Sequence, residues 1–154
     1  LDGFDVIYLL TLPGNHPVRV EVYSGDRLPA NLTSTGIALL AALEDRQIKV
    51  LMPRALQANN ALSIASADRL WAEIGKVRAT GHAVMRGGWH EDVGGVARTF
   101  RDGAGHTVGA VCVSAPLYRV DEGWLIRANS SMELAVRGIE AALARPAREN
   151  DEEG

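Results

Sequence analysis

The sequence has one cysteine, no long apolar run and no excess of positive charge, and each shortage removes a class of protein. Cys112 stands alone among 154 residues, so no disulfide can close within the chain, and its single thiol agrees with a reducing compartment. No apolar stretch approaches the roughly 20 residues that cross a bilayer. No signal peptide precedes Asp2 and Gly3, which points to a cytoplasmic protein with no membrane partner. Lys and Arg number 16 against 19 Asp and Glu, a net charge of −3, and the basic residues are scattered. A nucleic-acid surface is normally basic, so this stretch is not expected to touch DNA itself.

The short motifs of common enzymes are missing as well. Gly94-Gly95 and Gly103-Ala104-Gly105 lie between strands, whereas a dinucleotide fingerprint runs from a strand into a helix. Ser34 and Ser114 lack the Gly-x-Ser-x-Gly elbow of esterases. No acid–base pair falls at helical spacing inside an apolar run. The loop Trp89-His90-Glu91-Asp92, with His82 and His16 elsewhere, lacks the spaced ligand set of a zinc site. No catalytic residue, cofactor or metal is therefore assigned.

What is present is an orderly alternation of elements. Val6–Leu12 and Val18–Tyr23 read as an antiparallel hairpin turning at Pro13-Gly14-Asn15, the second strand setting Val18, Val20 and Val22 against Arg19, Glu21 and Tyr23. Ala30–Gly36 reads as a loop of small residues. Ile37–Leu43 reads as a buried helix, and Glu44-Asp45 open a further helical stretch ending at Pro53. Arg54–Ala65 shows no period. A helix starting at Asp68 takes Ser66 as its cap, carries Leu70, Trp71, Ile74 and Val77 as its apolar residues, and stops at Gly81. A strand at His82–Arg86 follows, then the loop Gly87–Val93. The last helix runs from about Leu125 to Arg145, before Pro146. The order β-β-α-α-α-β-β-β-α predicts one α+β domain.

The run Gly94–Pro116 carries the strongest signal. Two strand-like segments flank Asp102-Gly103-Ala104-Gly105, a hairpin turn in which glycine supplies positive φ. Side chains alternate along a strand, so Ala110, Cys112 and Ser114 share one face and Val111 and Val113 the other. Small residues with a thiol and a hydroxyl suit a ligand wall better than a core. Arg98 shares its face with Val96 and Phe100; if covered it needs an anionic partner, either a side chain or a bound acid, and otherwise it lies along an exposed or dimer-facing sheet surface, which is the favoured reading.

These segments, in this order, resemble the effector-binding domain of the IclR family of bacterial transcriptional regulators. The opening hairpin leads into GDRLPANLTSTGIALLAAL (Gly25–Leu43). Leu70, Glu73, Ile74, Arg78 and Gly81 are similar to a family helix, and Gly95–Pro116 is similar to the family's strand, turn and strand closing in Ser-Gly-Pro. The resemblance covers roughly Leu1 to Arg145.

It implies a GAF-like or profilin-like curved antiparallel sheet with helices packed on it. Residues 1–146 would bind a small-molecule effector, a carboxylate or an aromatic acid, and self-associate to a dimer or tetramer. Residues 147–154 would be a disordered charged tail. A winged helix-turn-helix upstream would contact operator DNA. Carried over by position, the effector site would comprise Ser34, Thr35, Gly36, Met85, Trp89, Gly95, Cys112 and Ser114. Met85 stands where the family has an acid and Ile37 where it has a lysine. With Trp89 and Arg98, these changes suit a larger apolar or aromatic ligand bearing an anion. Two rival readings are an oligomerisation domain with a degenerate pocket and an enzyme built on Cys112.

Overall fold

The computed structural model describes residues 1–145. The expected stop at Pro146 and the charged tail, 147–154, lie outside the described residues. Five strands and four α-helices follow in the expected order, and all strand pairing is antiparallel. The chain is an α+β domain.

The central sheet has strand order β3-β4-β5, from β3 (Ala83–Arg86), β4 (Val93–Arg101) and β5 (Thr107–Pro116). The turn between β4 and β5 forms as its residues dictate. Asp102 accepts from the amides of Ala104 and His106, both at 2.9 Å through Oδ1, and Gly105 takes φ +85°. Helices cover both faces of this sheet. Ala83, Met85, Ala97 and Cys112 face α1 (Ser34–Ala41) and α3 (Ala67–Thr80) in the larger core, with Ile37, Leu40, Leu70 and Ile74. Val96, Val111 and Val113, one residue out of phase, pack on Ala128 and Met132 of α4 (Glu122–Leu143).

The helix ends obey local chemistry. Ser66 caps α3 by accepting from the Arg69 amide, and Gly81 closes it at φ +76°. Asp121 caps α4 through the Trp124 amide, so that helix begins a turn before Leu125. In α2 (Asp45–Leu51) the Glu44 amide donates to Gln47 Oε1 at 2.9 Å.

The first hairpin differs from its expectation. β1 is short, Asp5–Ile7, and pairs with β2, Arg27–Pro29, in a separate two-stranded sheet. Val6–Leu12 does not pair with Val18–Tyr23. The long connection closes instead where Tyr8 N–H donates to Asp26 O (3.0 Å) and Gly25 N–H donates to Tyr8 O (2.7 Å). Alternating valines report a two-sided segment, but not which backbone it pairs with. The small-residue loop also differs. Ala30–Leu32 is a turn of 3-10 helix, and Ser34-Thr35-Gly36 are the buried first turn of α1 rather than loop.

Candidate functional site

Three of the residues singled out in the sequence meet on one rung of the central sheet. Met85 of β3 pairs with Gly95 of β4, and Gly95 pairs with Ser114 of β5. Because register partners share a face, Met85, Gly95 and Ser114 form a continuous floor. The next rung on the same face, Ala83–Ala97–Cys112, runs under the helices.

The start of α1 stands over this floor. Thr33 is extended and its Oγ1 accepts from the Gly36 amide at 2.9 Å, fixing the first helical turn. Gly36 lets that turn press against the backbone of Ala30, where any Cβ would collide. Ser34 is thereby brought down to the sheet. Its Oγ lies 3.2 Å, and Ser114 Oγ 3.1 Å, from the point a Cβ on Gly95 would occupy. Two hydroxyls thus converge above the one residue of the floor that has no side chain.

A cleft of about 1040 Å³ opens there. Ser34, Met85, Trp89, Gly95 and Ser114 line it; Thr35, Gly36 and Cys112 do not. Thr35 is buried with Oγ1 unpartnered, Gly36 serves the contact with Ala30, and Cys112 packs against the larger core. Arg98 lies on the opposite face, where its Nη1 donates to Asn129 Oδ1 at 3.0 Å. The expectation that Arg98 helps hold a ligand's anion is corrected accordingly: sheet alternation points it at α4.

Trp89 is 40 % exposed and stands in the cleft wall on a loop tied down from behind. Asn59 Nδ2 donates to Trp89 O at 3.1 Å, and Ser63 Oγ donates to Gly88 O at 2.8 Å. The patternless segment 54–65 is itself sewn in by Asn31. This residue is 1 % exposed, and its Nδ2 donates to the carbonyls of Gln57 and Ile64, each at 2.8 Å. Sequence reading passed over Asn31 because nothing local marks a residue whose partners lie 26 and 33 positions away.

Tyr8 was also passed over. It lines the cleft beside Thr33 and Ser34, and its phenol is pushed up to about 12, chiefly by burial and then by the nearby Cys112. The Thr35 and Thr33 hydroxyls are close enough to pull that pKa back down, yet Thr35 Oγ1 closes no hydrogen bond. A tyrosine among the apolar residues of an opening strand was the available signal.

The charges of the cleft are largely matched. Arg27 pairs with Asp2 at 2.6 Å and Asp5 at 3.6 Å, and Arg19 with Glu21 at 3.3 Å. Among the described residues no group of three or more His, Cys, Asp or Glu side chains could hold a metal, and no helix is long and apolar enough to cross a membrane. The arrangement is a cleft with neutral hydrogen-bond donors at its base and apolar or aromatic walls from Met85, Leu32 and Trp89.

Comparison with known proteins gives concordant matches. The family described as "Bacterial transcriptional regulator IclR C-terminal" matches residues 1–139. The Pca regulon regulatory protein of Pseudomonas putida is 31 % identical over 122 residues, 78 % of this chain and 42 % of that protein. The transcriptional regulator SauR of Cupriavidus necator is 29 % identical over 136 residues, 88 % of this chain and 54 % of that protein. The chain therefore spans about half the length of these relatives.

Among solved structures, a transcriptional regulator from Rhodococcus sp. RHA1 superposes with a TM-score of 0.87 at 32 % identity, covering 94 % of this chain and 59 % of that one. A homologue from Microbacterium hydrocarbonoxydans, solved with 4-hydroxybenzoate, has a TM-score of 0.81 at 21 % identity, covering 93 % of this chain and 57 % of its own. At that identity the likeness shows the fold alone.

Proposed function

Because this chain belongs to the IclR family of bacterial transcriptional regulators, matching its C-terminal domain, we propose that the cleft binds a small organic acid and that binding is relayed to a DNA-binding domain elsewhere in the regulator. The observation that supports this reading best is the convergence of the Ser34 and Ser114 hydroxyls over Gly95, at the base of a cleft of about 1040 Å³. The amides of Ser34 and Thr35 have no acceptor within α1, since the first turn of any helix leaves its N–H groups unpaired. That helix end favours an anion, and the hydroxyls complete its hydrogen bonds. Met85, Leu32 and Trp89 suit an apolar or aromatic body behind the acid group. The 4-hydroxybenzoate held by the Microbacterium homologue is a ligand of this kind.

The relatives bear the names of regulators rather than enzymes, and the proposed role needs no catalytic residue. A ligand acts by binding two arrangements of the protein with different affinity, so the domain would self-associate as a dimer or tetramer and shift operator binding in the cytoplasm. The outer surface of α4, with exposed Ile126 and Leu134, offers one contact for that assembly.

A panel of aliphatic and aromatic acids in a thermal-shift assay tests the proposal. A ligand at about 100 times its Kd stabilises the native state by about 2.7 kcal/mol, which raises Tm by several degrees for a domain of this size. No shift with any acid, confirmed by calorimetry, would favour the rival reading of a degenerate pocket kept for assembly.

A further inference from the structure

Resting on that reading of the cleft, we propose that Tyr8 sets the ligand's specificity: its phenol donates a hydrogen bond to the acid group of a monocarboxylate seated at the start of α1. The ring is held where this can happen. Tyr8 follows β1 directly and is fixed by the backbone bonds to Gly25 and Asp26, and it shares the cleft wall with Thr33 and Ser34.

The phenol stands beside the hydroxyls of Thr33 and Thr35. Thr33 Oγ1 already accepts from the Gly36 amide. Thr35, 6 % exposed, keeps Oγ1 without a partner among the described residues. A ligand oxygen reaching Tyr8 along the cleft wall would also meet the Ser34 hydroxyl and the free amides at the start of α1. A phenol is protonated at physiological pH, so it has a proton to donate.

The charge balance limits the ligand to one carboxylate. Arg19 and Arg27, the arginines of the lining, are engaged by Glu21 and by Asp2 and Asp5. Glu21, Asp26 and Asp92 in the same lining outnumber them. Among the described residues of the lining, a dianion would meet no unpaired arginine or lysine, whereas a single carboxylate is matched by neutral donors and the helix end.

Calorimetry on the 154-residue chain tests this. Pyruvate, benzoate, 3-hydroxybenzoate and 4-hydroxybenzoate are each titrated beside the corresponding amide, into wild type, Tyr8→Phe and Thr35→Val. Tyr8→Phe should weaken the best-binding acid about tenfold or more while leaving its amide within twofold, because only the charged acceptor loses a strong donor. Thr35→Val, which removes a hydroxyl buried off the cleft, should leave acid and amide affinities within twofold. An equal loss for acid and amide, or no loss, would overturn the role of Tyr8 while leaving the effector reading standing. Wild type that binds none of these acids would overturn both.

Discussion

Arg98 donates from Nη1 to Asn129 Oδ1 at 3.0 Å, bridging β4 and α4 on the side of the sheet away from the cleft. The same arginine helps hold the Glu133 carboxylate below its ordinary range, after the larger effect of Arg137. Its work is therefore sheet-to-helix packing. Arg98→Met should lower stability by about 1 kcal/mol, the scale of one part-buried hydrogen bond, and leave acid binding unchanged. Urea unfolding and calorimetry on one preparation check both halves.

The floor of the cleft predicts two graded losses. Ser114 is accessible and Ser114→Ala removes a single hydroxyl, so affinity for an acid should fall about tenfold with Tm unchanged. Gly95→Val adds a side chain where two hydroxyls already crowd the Cβ position. It should abolish binding outright, and competition with a fluorescent ligand would show it.

Gly36→Ala predicts a stability defect with no local polar cause. The added methyl would run into the backbone of Ala30, which cannot rotate away as a side chain can. Overpacking of this kind costs about 3 kcal/mol, and the denaturation midpoint should drop accordingly. A denaturation midpoint unchanged from wild type would contradict the packing explanation.

Asn31→Ala should loosen a segment that Asn31 itself is not part of. Two carbonyls, of Gln57 and Ile64, lose their donor. The cost is about 2 kcal/mol, reduced because the unpartnered Asn31 Oδ1 disappears with the side chain. Amide exchange should accelerate across residues 57–64 first and at the Trp89 loop next, through Asn59 and Ser63.

Tyr8 predicts an alkaline limit to stability. Its folded pKa is raised to about 12 from 10.0, so the fold favours the protonated phenol. The resulting stabilisation is complete below pH 10 and is lost as pH rises from 10 to 12. It amounts to about 2 kcal/mol. Tyr8→Phe should flatten that part of the stability profile, measured by urea midpoints at stepped pH.

Elements whose signals are local were legible in the sequence. Asp102 and Gly105 announced the β4–β5 turn, Ser66 and Gly81 the ends of α3, and the run from about Leu125 the body of α4. The face shared by Cys112 and Ser114 followed from alternation alone. What escaped depended on distant partners. β1 pairs with Arg27–Pro29 across some twenty residues of irregular chain, and period-2 patterning in Val18–Tyr23 carries no information about pairing. Three hydroxyl residues in a row, Thr33, Ser34 and Thr35, left the cap ambiguous, so α1 was expected to start late. Within the candidate site, alternation foretold that Ser114 faces one way and Val113 the other, but could not tell that Cys112 lies one rung too deep to reach the cleft.

The three-strand rung Met85–Gly95–Ser114 and the valines of the other face sit on the same strands, out of phase by one residue. Substitutions that reshape the floor therefore leave the surface against α4 untouched, and the reverse holds as well. Such a sheet can diverge on one side under selection for a new chemical signal while the other side is conserved as scaffold. The freedom of the cleft's lining to change without disturbing the packing behind it is built into the pleat.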